Sequence, residues 1–214
     1  MKLGSYKKLA IVVTSIIFAG CSSLDNPVIR TFNRAIGVDQ QQNSRFDPNY
    51  QYLRVVKDGR VVYLALGNVD SGTAIWYSAG REVLRLKDGR IAGASGLVTE
   101  WRNVVLPAFP SWTVLAQSKS PYKWTRIRDV MPGYRYGVTD ELTLSRIAAP
   151  QDTQLAGIAP GSLTWFEEDD TSPVDKLPPA RYAFDAAKHE IVYGETCLAE
   201  TFCFSWQRWP AGAP

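Results

Sequence analysis

Few residues in this chain have a type and spacing that could do chemistry, and the first is Cys21. It closes the run Phe18-Ala19-Gly20-Cys21, in which small residues precede a cysteine. That pattern marks a thiol that is acylated and becomes the N-terminus of the mature chain. Ahead of it, Lys2, Lys7 and Lys8 form a basic start, and Leu9 to Ala19 is an apolar run broken only by Thr14 and Ser15. The run is too short for a bilayer span, which takes roughly 20 apolar residues. Phe18 stands where leucine is usual, a slight departure. Residues 1–20 therefore read as a lipoprotein signal peptide and are kept out of the fold.

Cys197 and Cys203 are the other two cysteines, separated by Leu198 to Phe202 between two strand-like runs. An exported chain meets an oxidising compartment, so a disulfide clamping this hairpin is expected. The alternative is a pair of buried thiols acting as small hydrophobes. A metal site is not expected, because the one histidine, His189, lies in the preceding strand without further ligands. Its alternation with Ile191 suits an ordinary strand position rather than a serine–histidine pair. The acidic run Glu167-Glu168-Asp169-Asp170 lacks the alternating ligands and turn glycine of a calcium loop and reads as a solvated face. No HExxH, Walker loop or GxGxxG occurs, and Gly93-Ala94-Ser95-Gly96 lacks nucleophile-elbow spacing. A glycan-modifying enzyme would need a carboxylate pair, such as two of Glu82, Glu100, Asp129 and Asp140, about 5 to 10 Å apart in a cleft. Seven tryptophans leave one binding hint. Exposed, they could stack on sugar rings or anchor a partner, with Trp206 and Trp209 the candidate contacts; buried, they fill the core.

The anchor has consequences for place and charge. Diacylglycerol plus an N-acyl chain holds firmly, since each buried methylene contributes about 0.8 kcal/mol and one chain alone is marginal. Ser22 follows the cysteine instead of the aspartate that retains lipoproteins at the inner membrane, so the outer membrane is expected, with the domain facing the periplasm. The chain carries 24 basic and 21 acidic residues, and three of the lysines are in the leader, leaving 21 against 21. A neutral mature chain offers no basis for a nucleic-acid partner. No cofactor is implied.

Behind the anchor, residues 21–49 read as a tether with one short helix and a polar connection. Asn26-Pro27 suits a helix start, Val28, Ile29, Phe32, Ala35 and Ile36 share a face, and Gly37 ends it. Residues 50–214 then form one domain. Lys-Asp-Gly-Arg occurs at 57–60 and again at 87–90, each time between apolar runs. Asp-Gly supplies the positive φ angles of a type I′ hairpin turn. In the second copy Leu84 and Leu86 face inward while Arg85 and Lys87 face water. Further strands are expected at Ser111 to Ala116, Lys123 to Val130, Tyr134 to Val138, Leu142 to Ala148, Tyr182 to Phe184, His189 to Tyr193 and Phe202 to Trp206. About a dozen short strands with one helix make the class all-β.

Trp76-Tyr77-Ser78-Ala79, Glu82-Val83-Leu84-Arg85-Leu86 and Gly89-Arg90-Ile91 resemble the central motif of the YjbF/GfcB-type lipoproteins. The likeness runs from Cys21 to near the C-terminus and is strongest over residues 50–101. It implies a lipoprotein encoded with exopolysaccharide or group 4 capsule secretion, without an established catalytic motif. It also implies one large antiparallel sheet curled on itself as a half-barrel or open barrel. A large outer-membrane β-barrel protein is encoded alongside such lipoproteins, so the expected role is non-enzymatic, with that barrel as the direct partner. The expected contact is an exposed strand edge or an aromatic patch at residues 204–209. A periplasmic glycan-binding module is the alternative.

Overall fold

The computed structural model describes residues 46–210, apart from residue 48. The leader, Cys21 and the expected helix after Pro27 lie outside the described residues. Both Lys-Asp-Gly-Arg turns form as expected. Asp58 and Gly59 have φ of 50° and 74°, and Asp88 and Gly89 have 48° and 77°. They join β1 (Tyr52–Lys57) to β2 (Arg60–Asp70), and β4 (Val83–Lys87) to β5 (Arg90–Ser95), with β3 (Thr73–Tyr77) between the hairpins. The chain continues through β6 (Glu100–Val105), helix α1 (Trp112–Gln117), β7 (Tyr122–Met131) and β8 (Arg135–Ile147). It closes with β9 (Thr164–Asp170), β10 (Ala180–Asp185), β11 (Glu190–Ala199) and β12 (Phe202–Trp209).

Every strand pairs antiparallel with the next, and β1 pairs with β12 from Tyr52↔Trp209 to Val56↔Ser205. The sheet is thus a closed barrel of twelve strands, not the half-barrel or open barrel expected. Closure satisfies the edge hydrogen bonds of the first and last strands with each other and removes the exposed strand edge proposed for partner binding.

Alternation fills the barrel. Along β7, Trp124, Arg126, Arg128 and Val130 are buried while Thr125 and Ile127 are exposed. The apolar interior gathers Leu53, Leu64, Trp76, Leu84, Trp101 and Trp206, among others. Leu84 and Leu86 point in as expected; Lys87 is exposed, and Arg85 is half-buried, folded over Gly93.

Three local expectations need correction. Ser111 to Ala116 holds α1 instead of a strand. Its Trp112 and Leu115 fall on one buried helical face, and the Ser111 side chain accepts a hydrogen bond from Val114 N–H. The two strands expected at 134–148 are one, β8, continuous through Asp140 because arginines on β7 neutralise that carboxylate. His189 sits in the exposed β10–β11 turn with φ of 55°, not in a strand.

Strand direction sorts the connections to two ends. α1, the β4–β5 turn and the β10–β11 turn share one end with residues 46, 47 and 49–51 and with Pro210. α1 covers that end: Trp112 Nε1 donates to Asp88 O at 2.7 Å, and Arg146 Nη1 to Ala116 O at 3.2 Å. The β8–β9 connection leaves from the same end and straps the outer wall. Gln154 N–H donates to the Tyr193 hydroxyl, Ala156 exchanges two hydrogen bonds with the Gln207 amide, and Leu155 and Leu163 pack on Trp165 and Tyr193.

Candidate functional site

One cluster of charges lies inside the barrel, on the β7–β8–β9 wall. Arg126 Nε and Arg128 Nε each reach Asp140 Oδ2 at 2.8 Å, and Arg126 Nη1 lies 3.7 Å from Glu168. All four residues are at most 4% exposed. The second half of the acidic run is therefore not a solvated face. Phe166 points inward and sets the phase, so Glu168 and Asp170 follow it into the interior, leaving Glu167 and Asp169 at the outer wall. Asp170 accepts from the backbone N–H groups of Ser172 and Leu177, both at 2.9 Å, and from the Ser172 hydroxyl. Burial pushes the Glu168 carboxyl above its ordinary value, against the pull of Arg126 and Arg90. Burial also opposes the charge of Arg126, but Glu168 and Asp140 outweigh it and raise its pKa. Tyr182, whose hydroxyl is 3.4 Å from Glu168, is held above its usual value chiefly by burial.

Arg90 joins this cluster from the capped end. Its guanidinium lies 3.5 Å from the ring centroid of Phe109 and 3.9 Å from that of Trp112, with Trp124 and Tyr182 further out. Desolvation pushes its pKa down to about 10, still far above neutrality, so the cation stays charged among the rings. The sequence held a usable signal for the network: arginine at alternate positions 126 and 128, and acids at alternate positions 168 and 170. It held none for Arg90, whose partners come from the β6–β7 connection, α1, β7 and β10.

The residues singled out for chemistry do not converge. Cys21 lies outside the described residues. Cys197 and Cys203 are paired across the β11–β12 hairpin and joined by a disulfide. Six tryptophans are buried, Trp206 among them at 1% exposure, so the contact proposed at residues 204–209 loses that member. Trp206 packs over Gly194, where an added Cβ would come within 2.7 Å of its ring. Trp209 alone is half-buried, near Tyr63 and Phe46, with Arg54 over its ring at 5.9 Å. The four carboxylates weighed for catalysis are each bound to a local donor. Glu82 holds the Ser78 hydroxyl, Glu100 the Gly96 N–H and Arg102, Asp129 the Gly137 N–H, and Asp140 both buried arginines. Among the described residues no group of three or more His, Cys, Asp or Glu side chains could hold a metal ion.

Open space is found at the rims. An apolar notch of about 40 Å³ lies between Val55, Leu84 and Phe202 at the uncapped end. A groove of about 420 Å³ runs beside the disulfide, past Asp152, Arg181 and Glu195. A pocket of about 430 Å³ opens at the capped end beside Trp209.

A family model described as "Group 4 capsule polysaccharide lipoprotein gfcB, YjbF" matches residues 11–192. Among solved structures, the hypothetical lipoprotein YmcC from Escherichia coli (K12) superimposes with a TM-score of 0.59 at 17% identity. The match covers 77% of this chain and 85% of that one and shows a shared fold. No curated protein matches.

Proposed function

The chain belongs to the group 4 capsule polysaccharide lipoprotein family, and on that premise we propose a non-enzymatic accessory role in exporting an extracellular polysaccharide. Cys21 carries the lipid, the barrel faces the periplasm from the outer membrane, and the direct partner is the outer-membrane β-barrel protein of the same secretion system. The observation that carries this reading is the extent of the family match, which spans Cys21 and the barrel as far as β11. Two features of the chain support it: the leader that ends in Phe18-Ala19-Gly20-Cys21, and the pairing of the buried Arg126 and Arg128 with Asp140. With no free edge at either end of the strand order, contact with the partner falls to rim side chains. Trp209 is one, and Tyr134 in the β7–β8 turn and Tyr136 at the start of β8, 74% and 67% exposed, are two more.

The test is genetic. Deleting the gene should abolish or sharply reduce polysaccharide outside the cell. The wild-type gene should restore it, and Cys21→Ala should not. Photocrosslinkers at positions 134, 136 and 209 should capture the outer-membrane barrel. Normal export in the deletion strain would end the proposal, and crosslinks confined to inner-membrane proteins would remove the partner.

A further inference from the structure

We propose that the pocket beside Trp209 binds a short stretch of neutral saccharide; the assignment of a polysaccharide strand rather than a free sugar rests on the export reading above. Four segments converge there at the capped end: Gln51 and Tyr52, the strap at 158–163, the β10–β11 turn, and the end of β12. The volume, about 430 Å³, lies within the roughly 300–1,000 Å³ typical of small-ligand sites. One wall is Trp209, the only tryptophan of this chain that is not buried. Tyr63, Phe46 and Arg54 hold its ring in place, and an indole so fixed offers an apolar surface to the C–H face of a sugar.

The polar groups around that ring suit hydroxyls better than a charged ligand. Asp185 and Glu190 supply acceptors, Lys188 and Arg208 supply donors, and Ser162 and Gln51 can do both. Among the described lining residues, two acids against two bases leave no net charge to favour a phosphate or a polyanion. Arg208 Nε and Glu190 Oε2 are 3.0 Å apart, an ion pair at the pocket wall. Asp185 accepts from the Ala187 and Lys188 N–H groups through Oδ1 at 2.9 and 3.3 Å, and no partner of Oδ2 occurs among the described residues. The groove beside the disulfide is of similar size but less suited. Its Arg181 is already bound to Asp152 at 2.7 Å and Glu195 at 2.8 Å, and its one ring, Phe204, is buried.

The experiment titrates the full-length lipoprotein in detergent with cellobiose, with lactose, and with oligosaccharides cut from the strain's own exported polymer. Binding is followed by saturation-transfer NMR and calorimetry. At least one of these probes should bind. Glu190→Gln should weaken that binding about tenfold, as loss of one good hydrogen bond to a charged acceptor does. Trp209→Phe should weaken it at least threefold or so, while the thermal midpoint stays near the wild-type value. Tyr134→Ala, at the other end of the barrel, should bind as wild type. No binding by any probe, or wild-type affinity in both pocket variants, overturns the site. Tighter binding of a hexuronate oligomer than of the neutral disaccharides overturns the neutral class. Loss of sugar binding in a strain that needs the gene for export removes the pocket alone; sugar binding by a protein dispensable for export removes the export role and keeps the pocket.

Discussion

The two copies of Lys-Asp-Gly-Arg share a turn conformation and little else. At 57–60 the tetrapeptide sits on the uncapped rim, with Arg60 exposed and Lys57 Nζ 5.0 Å from the ring centroid of Phe202. At 87–90 it lies at the capped end, with Lys87 exposed and Arg90 only 3% exposed. The phase against the interior differs as well. Val55, two residues before Lys57, packs on the interior cluster while the buried Val56 lies outside it, whereas Leu86, one residue before Lys87, belongs to that cluster. Even the glycines differ: a Cβ on Gly59 would meet nothing within 4 Å, while one on Gly89 would come within 2.5 Å of Ile191. A hairpin turn is a local property of four residues. Which of its side chains become structural depends on what the rest of the chain brings to that end of the barrel.

Substitutions can break this comparison or sharpen it, and the largest effect belongs to Arg90. Arg90→Ala empties a ring-lined site and strips a cation from beside Glu168, so a loss of about 3 kcal/mol in urea unfolding is expected. Arg60→Ala should stay within about 0.5 kcal/mol. Equal effects at the two positions would dissolve the distinction. Next comes Gly89→Ala, which combines a positive φ with a collision at Ile191 and should cost about 2 to 3 kcal/mol. Gly59→Ala has only the φ of +74° to bear and should cost about 1 kcal/mol.

The uncapped end has its own fastener in the Cys197–Cys203 disulfide, a ring of separation six. Reducing it should lower stability by roughly 2 kcal/mol, with the first hairpin, whose turn lines the same groove, losing amide protection before the second. Alkylation of both thiols in denatured, unreduced protein would contradict the bond. The smallest effect concerns pH. Glu168 holds its proton above the ordinary 4.5 when folded, so its contribution is full below that pH and is lost as pH rises through the raised value. Wild-type stability should therefore fall more between pH 4.5 and neutrality than that of Glu168→Gln. Arg90→Ala, which removes a charge that pulls Glu168 down, should steepen the fall, and Arg60→Ala should leave it unchanged.

What the sequence determined by itself was local. Asp-Gly in both hairpins, the alternation of Leu84 and Leu86, and two cysteines placed to face each other across a hairpin all follow from interactions a few residues apart. They set the all-β class and the antiparallel meander. Tertiary structure decided everything that depends on distant partners. Closure required β1 to meet β12, some 150 residues later, and no local pattern marks a strand as the mate of one so far away. The same distance hid the fate of Glu168, Asp170 and Trp206. An acidic run looks solvated until two arginines appear on the facing wall, and a tryptophan near the terminus looks available until Gly194 leaves room to bury it. α1 reads as a strand in the sequence because six residues carry too little periodicity to separate a helix from a buried strand, and only the open end of a barrel gives Trp112 and Leu115 a surface to cover.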